Sequence, residues 1–488
     1  MENFFDINLE KIRKWNKKKA LESLFIVFNS KENKEDIGIY VFLDEKDVFE
    51  IFFLIMKYAE GSDIPNNKEF KTLGGKLSIK RLINNENKRT NEYAQYNGEL
   101  SDFLLHFYLD QFISPYDGYL LDNYGFTSQV FKIIYIFLAN RDIKPFNFLE
   151  IKDFIDNSIK QECNNNIYKE VLNYVKYFSV EYQNLATNDY QKFRKDLRKK
   201  PFINFNNDEY FVFYYSYRTE VFQNFHYLLN DNENYKHYKG NRFEELVSYV
   251  MDYSLNDGCC IYQNVKYKGG EMDLFIDTPK YLILIECKSN VLYDDYRYTK
   301  GNSGVEKNLY DIIGKAESQL FRDWQVVKNS GNISSNGHKI NYDSSKEVLL
   351  LNMCLDFPVG FANKESENKV ITLSLADLIY IVDELNDPII SENPRTNDIC
   401  EYLKLREKAL GSATDSELTM LINLLYNPYL NTIIKNKELI TMNSDQSLAI
   451  LNRLHYLLLK CLYNPCHKEA GFIRTKYYGV LREYVFHS

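Results

Sequence analysis

The 488-residue chain predicts an α/β fold, α+β over its whole length, in which an α-β-β-β-α-β core is flanked by helix-rich N-terminal and C-terminal regions. Three observations carry that prediction. From Gly240 onward the hydrophobic pattern runs helix, strand, strand, strand, helix, strand, helix. Residues 1 to about 200 on one side, and 400–488 on the other, read as mostly helical. The length exceeds one typical core and sets two or three domains. The boundaries fall at 1–235, a helix-rich region ending in a β-hairpin, 236–390, the core, and 391–488, a helical region.

In the N-terminal region, residues 37–43 read as a strand, and 130–139 and 170–178 as buried helices. Apolar runs at 202–205 and 210–213, joined by Asn-Asn-Asp, spell a hairpin. In the core, a helix-like stretch at 242–247 is followed by strands at 260–266, 272–276 and 281–287. A helix over 304–327 places Val305, Leu309, Ile312, Ala316 and Leu320 at helical spacing. A polar loop, 329–345, leads to a strand at 347–353. Ser374 and Asp377 form a capping-box signal that opens a helix to Leu385. Residues 387–398, with two prolines among polar residues, read as a linker. No internal repeat is evident.

Hydrophobic content of 45% and charged content of 26% are those of globular proteins. The chain holds 40 Tyr and 33 Phe but only 2 Trp; with abundant Asn, Lys and Ile this matches AT-rich coding, so Tyr richness is no sign of base stacking. A net charge of −8 restricts nucleic-acid binding to a local basic surface, because Lys and Arg supply most of that affinity. The first residues lack the basic and then apolar pattern of a signal peptide. The longest apolar stretch is interrupted by Lys132 and falls short of the ~20 residues of a membrane span, so no membrane association is expected. Eight scattered Cys without a paired framework suit reduced thiols and a cytoplasmic location.

The chemistry concentrates in the core. Strand side chains alternate faces, so Leu282, Leu284, Glu286 and Lys288 share one face. A tight turn at Thr278, Pro279 and Lys280 pairs this strand antiparallel with the one holding Asp273. Counted outward from the turn, Asp273 and Glu286 can meet at the far end of the hairpin. Two carboxylates there repel unless a cation separates them, and hard oxygen ligands suit Mg²⁺ or Mn²⁺. Lys288 can help neutralise the site and orient or deprotonate a water. An acid and a lysine at the tip of an apolar strand are costly without such partners.

These residues resemble the motifs of the PD-(D/E)XK nuclease superfamily, the restriction-endonuclease-like fold. Phe243-Glu244 looks like its first-helix acid. Gly270-Glu271-Met272-Asp273-Leu274 resembles the strand with the metal-binding Asp, and Ile285-Glu286-Cys287-Lys288 the E-x-K half-motif. Gln319 matches the Gln often found on the following helix. The resemblance implies that Asp273, Glu286 and the backbone carbonyl of Cys287 bind Mg²⁺, with Mn²⁺ as a substitute. It implies that Lys288 serves the attacking water and that Gln319 positions water or the scissile strand. Glu244 would reach the metal through water or brace Lys288. Met272 stands where the naming Pro would be, a departure that members share. The insertion over 294–304 falls in a family-variable region.

By this resemblance the chain is a Mg²⁺-dependent endonuclease acting on nucleic acid, DNA rather than RNA, in restriction or anti-phage defence, with a homodimer or a defence-system subunit as partner. Two other readings stand beside it: a catalytically inactive scaffold or nucleic-acid-binding subunit on the same fold, and a nuclease that cuts RNA.

Secondary signals have two readings each. Lys315, Gln319 and Arg322 form one stripe at i, i+4 and i+7, either phosphate-facing or an exposed helix face. Two basic clusters, one over 11–19 and one comprising Lys192, Arg194, Lys195, Arg198 and Lys199, either grip phosphate or form solvated helix faces. Glu245 and Glu271 are second carboxylates near the candidate ligands, and Glu271 shares the face of Asp273. Cys461, Cys466, His467 and His455 have poor zinc spacing and read as buried helix residues. Gly74-Gly75-Lys76 lacks the full phosphate-loop spacing.

Overall fold

The structure, a computed structural model, describes residues 4–8, 70–73, 76–80, 95–96, 102–139, 146–158, 164–185, 190–204, 209–212, 217, 220–290, 310–329, 331–355, 358–359, 369–386, 394–409 and 417–426. The strand expected over 37–43, the basic cluster over 11–19, the Gly74-Gly75 turn, the insertion over 294–304 and the Cys461–His467 cluster lie outside them. Two compact units divide the chain: Met1–Asn87 with His106–Asp231, and Lys88–Leu105 with Asn232–Ser488.

In the first unit, helices Asp117–Tyr124, Gln129–Ala139, Phe148–Ser158, Asn164–Tyr177, Tyr190–Lys199 and Val221–Leu229 accompany a small four-stranded sheet. The expected hairpin is there, with Phe202–Asn204 antiparallel to Glu209–Val212. Its core is largely aromatic, with Phe126, Tyr174, Phe178 and Phe225 in mutual ring contact. Tilted, edge-on and stacked ring pairs of this kind add to the stabilisation of the area they bury. Gly125 ends Asp117–Tyr124 at φ 78°, the left-handed closure that glycine adopts without steric cost. A Cβ there would also stand 2.6 Å from Asn173 Nδ2.

The second unit carries the expected core, with three strands that the sequence did not announce: two in the stretch read as a polar loop, 329–345, and one over 370–374. Its elements are α1 (Glu233–Ser254), β1 (Cys260–Tyr267), β2 (Gly270–Asp277), β3 (Tyr281–Lys288), α2 (Lys315–Lys328), β4 (Ile333–Ser335), β5 (His338–Lys339), β6 (Glu347–Cys354), β7 (Val370–Ser374), α3 (Leu375–Asn386), α4 (Ile399–Lys408) and α5 (Glu417–Tyr426). The sheet order is β5-β4-β1-β2-β3-β6-β7. Strands β1, β2 and β3 form an antiparallel meander, after which β6 and β7 join parallel to β3. A return to parallel pairing requires a long crossover, and α2 lies in the one between β3 and β6.

Strand β3 is central and buried from Tyr281 to Glu286. That is why it reads as a continuous apolar run: both faces are covered. On one face Phe275, Leu282, Leu284 and Leu350 pack with Leu320 and Val327 of α2. On the other, α1 brings buried Phe243, Leu246, Val247 and Val250 and packs on β1, β2, β3 and α3. The turn from β2 to β3 is closed by Thr278, whose Oγ1 donates to Tyr281 O at 2.9 Å and accepts from Tyr281 N at 2.8 Å. The helix expected over 304–327 is described from Tyr310, first as a π-turn to Gly314 and then as α2.

The capping box forms as written. Ser374 Oγ accepts from Asp377 N at 3.1 Å, and Asp377 Oδ2 accepts from Ser374 N at 3.1 Å and Ser374 Oγ at 2.6 Å. Helices α4 and α5 pack against each other and against α3, within the same compact unit as the sheet. Thus the fold is α+β with helical flanks.

Candidate active site

The site is built where β2 begins and β3 ends, beside α2. The register pairs Leu274 with Ile285, so Asp273 and Glu286 come one step further out on the same ladder. Asp273 Oδ2 accepts from Cys287 N at 2.7 Å, a charge-assisted bond that pins the carboxylate across the strand end. Glu286 is 3% exposed. Its Oε1 accepts from Lys288 Nζ at 2.5 Å, while its Oε2 is buried with no hydrogen-bond partner among the described residues. Lys288 Nζ also donates to Gln319 Oε1 at 2.7 Å. So Asp273, Glu286, Lys288 and Gln319, spread over 47 positions of sequence from first to last, meet through strand pairing and one helix face.

Glu244 stands on α1, partly buried, close enough for Asp273, Glu271 and Lys288 to act on its charge. Burial first, then repulsion from Asp273, Glu271 and Glu245, pushes its carboxyl up to about 7. Glu286 is also pushed up to about 7, by burial and then by Asp273, with Lys288 opposing. Burial raises Asp273 as well, against the Cys287 N–H and Lys288. Desolvation and like charge both disfavour the ionised form, and a single ammonium does not offset several carboxylates.

A divalent cation would reverse that balance, and the donor set fits one. Glu286 Oε2 is an orphaned buried oxygen, and Asp273 and Glu286 are hard ligands. Among the described residues no three His, Cys, Asp or Glu side chains form a metal cluster by themselves. A two-carboxylate set suits Mg²⁺, which keeps several waters and takes one or two protein carboxylates. Glu244 completes no such cluster among the described residues.

The remaining expected residues divide. Lys315 pairs with Asp311 at 2.5 Å on an exposed surface, whereas Arg322, also exposed, donates from Nε to Tyr267 Oη at 2.8 Å. On the basic helix of the first unit, Lys192 is exposed and Lys195 half-buried, while Lys199 lies over the Tyr227 ring at 6.0 Å. Arg194's side chain lies outside the described residues. Arg198 corrects the expectation: it is 2% exposed, with Nη1 3.4 Å from Glu220 Oε1. Its position on the inner face, next to buried Leu197, removes it from any phosphate-binding surface.

Tyr267 and Asp323, which the sequence reading passed over, join the site's edge. Tyr267 donates from its hydroxyl to Asp323 Oδ1, and Asp323 is 1% exposed with Oδ2 unpartnered among the described residues. Burial pushes the Asp323 carboxyl up to about 6, with Tyr267 and Arg322 opposing. One signal was present in the sequence: Asp323 follows Gln319 by four positions and shares the inward side of α2 with buried Leu320 and Val327.

No family model and no curated protein matches the chain. Among solved structures, it is similar to the small subunit of a heterodimeric restriction endonuclease. The match has 18% sequence identity and a TM-score of 0.25, and covers 41% of this chain and 96% of that one. The overlap is slight, and that structure is a weak neighbour.

Proposed function

We propose that this chain is a metal-dependent nuclease that hydrolyses phosphodiester bonds of DNA, acting in restriction or defence. One observation carries the reading: Asp273, Glu286, Lys288 and Gln319 converge, and Glu286 presents a buried oxygen without a partner. An unsatisfied buried carboxylate oxygen is costly, and beside Asp273, Lys288 and Gln319 a bound cation would answer it.

In this reading Asp273, Glu286 and the Cys287 carbonyl hold Mg²⁺, or Mn²⁺ in its place. The ion, when bound, screens the phosphate and lowers the pKa of a bound water. Lys288, held between Glu286 Oε1 and Gln319 Oε1, orients the attacking water with its ammonium and stabilises charge that develops on it. Gln319 fixes the Lys288 rotamer and keeps its amide nitrogen for water or substrate. Glu244 braces the site from α1. The apolar layer beneath, with Leu284 and Leu320 buried, excludes bulk water from one side of the cluster and strengthens each of these interactions.

The test is plasmid DNA, and in parallel a single-stranded RNA, incubated with full-length wild type and Glu286→Ala in Mg²⁺ and in EDTA. We expect DNA cutting by the wild type that EDTA and the substitution each abolish. Cutting in EDTA, or undiminished cutting by Glu286→Ala, refutes the site. Preferential cutting of RNA retains the chemistry and overturns the polymer.

A further inference from the structure

Arg322 follows Gln319 by three positions on α2, half exposed, and Glu286 lies within reach of its charge. Its Nε donates to Tyr267 Oη at 2.8 Å, and that hydroxyl in turn donates to Asp323 Oδ1. The relay is directional: guanidinium to phenol to buried carboxylate. Direct pairing between the neighbouring side chains is poor, since Arg322 Nε lies 3.8 Å from Asp323 Oδ1, so the phenol makes the connection. An exposed ion pair stabilises little, and so slight a gain does not account for an acid that is 1% exposed.

The backbone is shaped to admit the relay. Tyr267 ends β1 and Gly270 begins β2 as its direct partner in the ladder. A Cβ on Gly270 would stand 2.3 Å from Tyr267 Oη and 2.5 Å from Cζ, so the ring crosses the space that any other residue would fill. Gly269 supplies the turn itself at φ 101°. The two glycines have separate tasks, and the second is clearance for the Tyr267 ring.

We propose that Arg322 is a phosphate clamp at the rim of the site, that Tyr267 and Asp323 are positioning residues that hold it, and that Gly270 makes room for the arrangement. With Nε committed to Tyr267, the two terminal nitrogens have no partner among the described residues. They form a fork matched to two oxygens of a backbone phosphate, the geometry that distinguishes Arg from Lys. The clamp rests on the nuclease reading and deepens it, by assigning the polyanionic backbone beside the scissile bond as what α2 recognises.

The experiment measures binding of a short fluorescein-labelled DNA duplex to the full-length protein by anisotropy, in Ca²⁺, over a salt series. Cleavage kinetics in Mg²⁺ run alongside. Arg322→Ala is expected to weaken binding roughly tenfold and to lower the log–log salt slope by about one. Arg322→Lys keeps the charge and does not restore affinity. Tyr267→Phe and Gly270→Ala are expected to weaken binding several-fold with the salt slope nearly retained, and the cleavage defect falls on KM more than on kcat. Melting temperatures of Arg322→Ala and Tyr267→Phe separate this from a folding defect. Wild-type binding that Arg322→Ala and Tyr267→Phe leave unchanged overturns the clamp alone. A wild type that neither binds nor cuts the duplex overturns the nuclease reading and the clamp with it.

Discussion

Lys288 holds two acceptors at once, Glu286 Oε1 at 2.5 Å and Gln319 Oε1 at 2.7 Å, and its replacement is the sharpest single-residue test. Lys288→Ala should lower the cleavage rate by at least about 100-fold, the scale of a lost acid–base or charge-stabilising group, with near-native circular dichroism. A rate within a few-fold of wild type would remove Lys288 from the chemistry. The carboxylates make a separate prediction about pH. Glu286 is pushed up to about 7 from an ordinary 4.5, so the folded protein binds its proton more tightly than the unfolded chain does. Its contribution to stability is therefore complete below the unfolded value and is lost as pH rises through about 7. In EDTA, the wild type should lose more melting temperature between about pH 5.5 and pH 8 than Glu286→Gln does, because the amide does not titrate. Parallel curves for the two proteins would contradict the assignment.

At the scale of elements, α4 and α5 are joined by a charged staple inside an apolar interface. Arg406 is 0% exposed and reaches Glu417 Oε1 and Oε2 from Nε at 2.8 and 3.1 Å, and Oε2 from Nη2 at 3.0 Å. Tyr402 donates to the same carboxylate at 3.0 Å. Removing one partner leaves an uncompensated buried charge, so Glu417→Ala should cost about 3–5 kcal/mol in urea unfolding. A loss under about 1 kcal/mol, typical of exposed pairs, would show that the pair is not buried. The contrast with the candidate active site is instructive. Both Glu417 oxygens accept bonds from Arg406, whereas Glu286 keeps one oxygen unanswered.

For the whole molecule, the sequence offers one E-x-K cluster of this kind, and on the proposed reading one such centre cuts one strand. Plasmid should pass through a nicked circle before it becomes linear, and the linear product should rise more steeply than linearly with protein concentration if two copies meet on DNA. Linear product formed at once, in proportion to protein, would point to a preformed dimer. Among the described residues no helix is long and apolar enough to cross a membrane.

Much of the second unit is legible in the sequence because its determinants are local or periodic. The three consecutive strands, the Thr278 turn that sets Asp273 opposite Glu286, and the Ser374–Asp377 box depend on residues a few positions apart. Strand parity alone puts Glu286 and Lys288 on one face. By contrast, Arg198 looked like part of a basic surface, and only packing turned it inward toward Glu220. Tyr267 and Asp323 are 56 positions apart, and no pattern in the chain announces that they touch. The sequence by itself determined the helix–strand–strand–strand–helix–strand succession and which residues are candidates for a metal site, but it did not announce β4, β5 or β7. Tertiary structure decided which charges are buried, which are answered and which oxygen is left open, because desolvation depends on everything that packs around a group rather than on its neighbours in the chain.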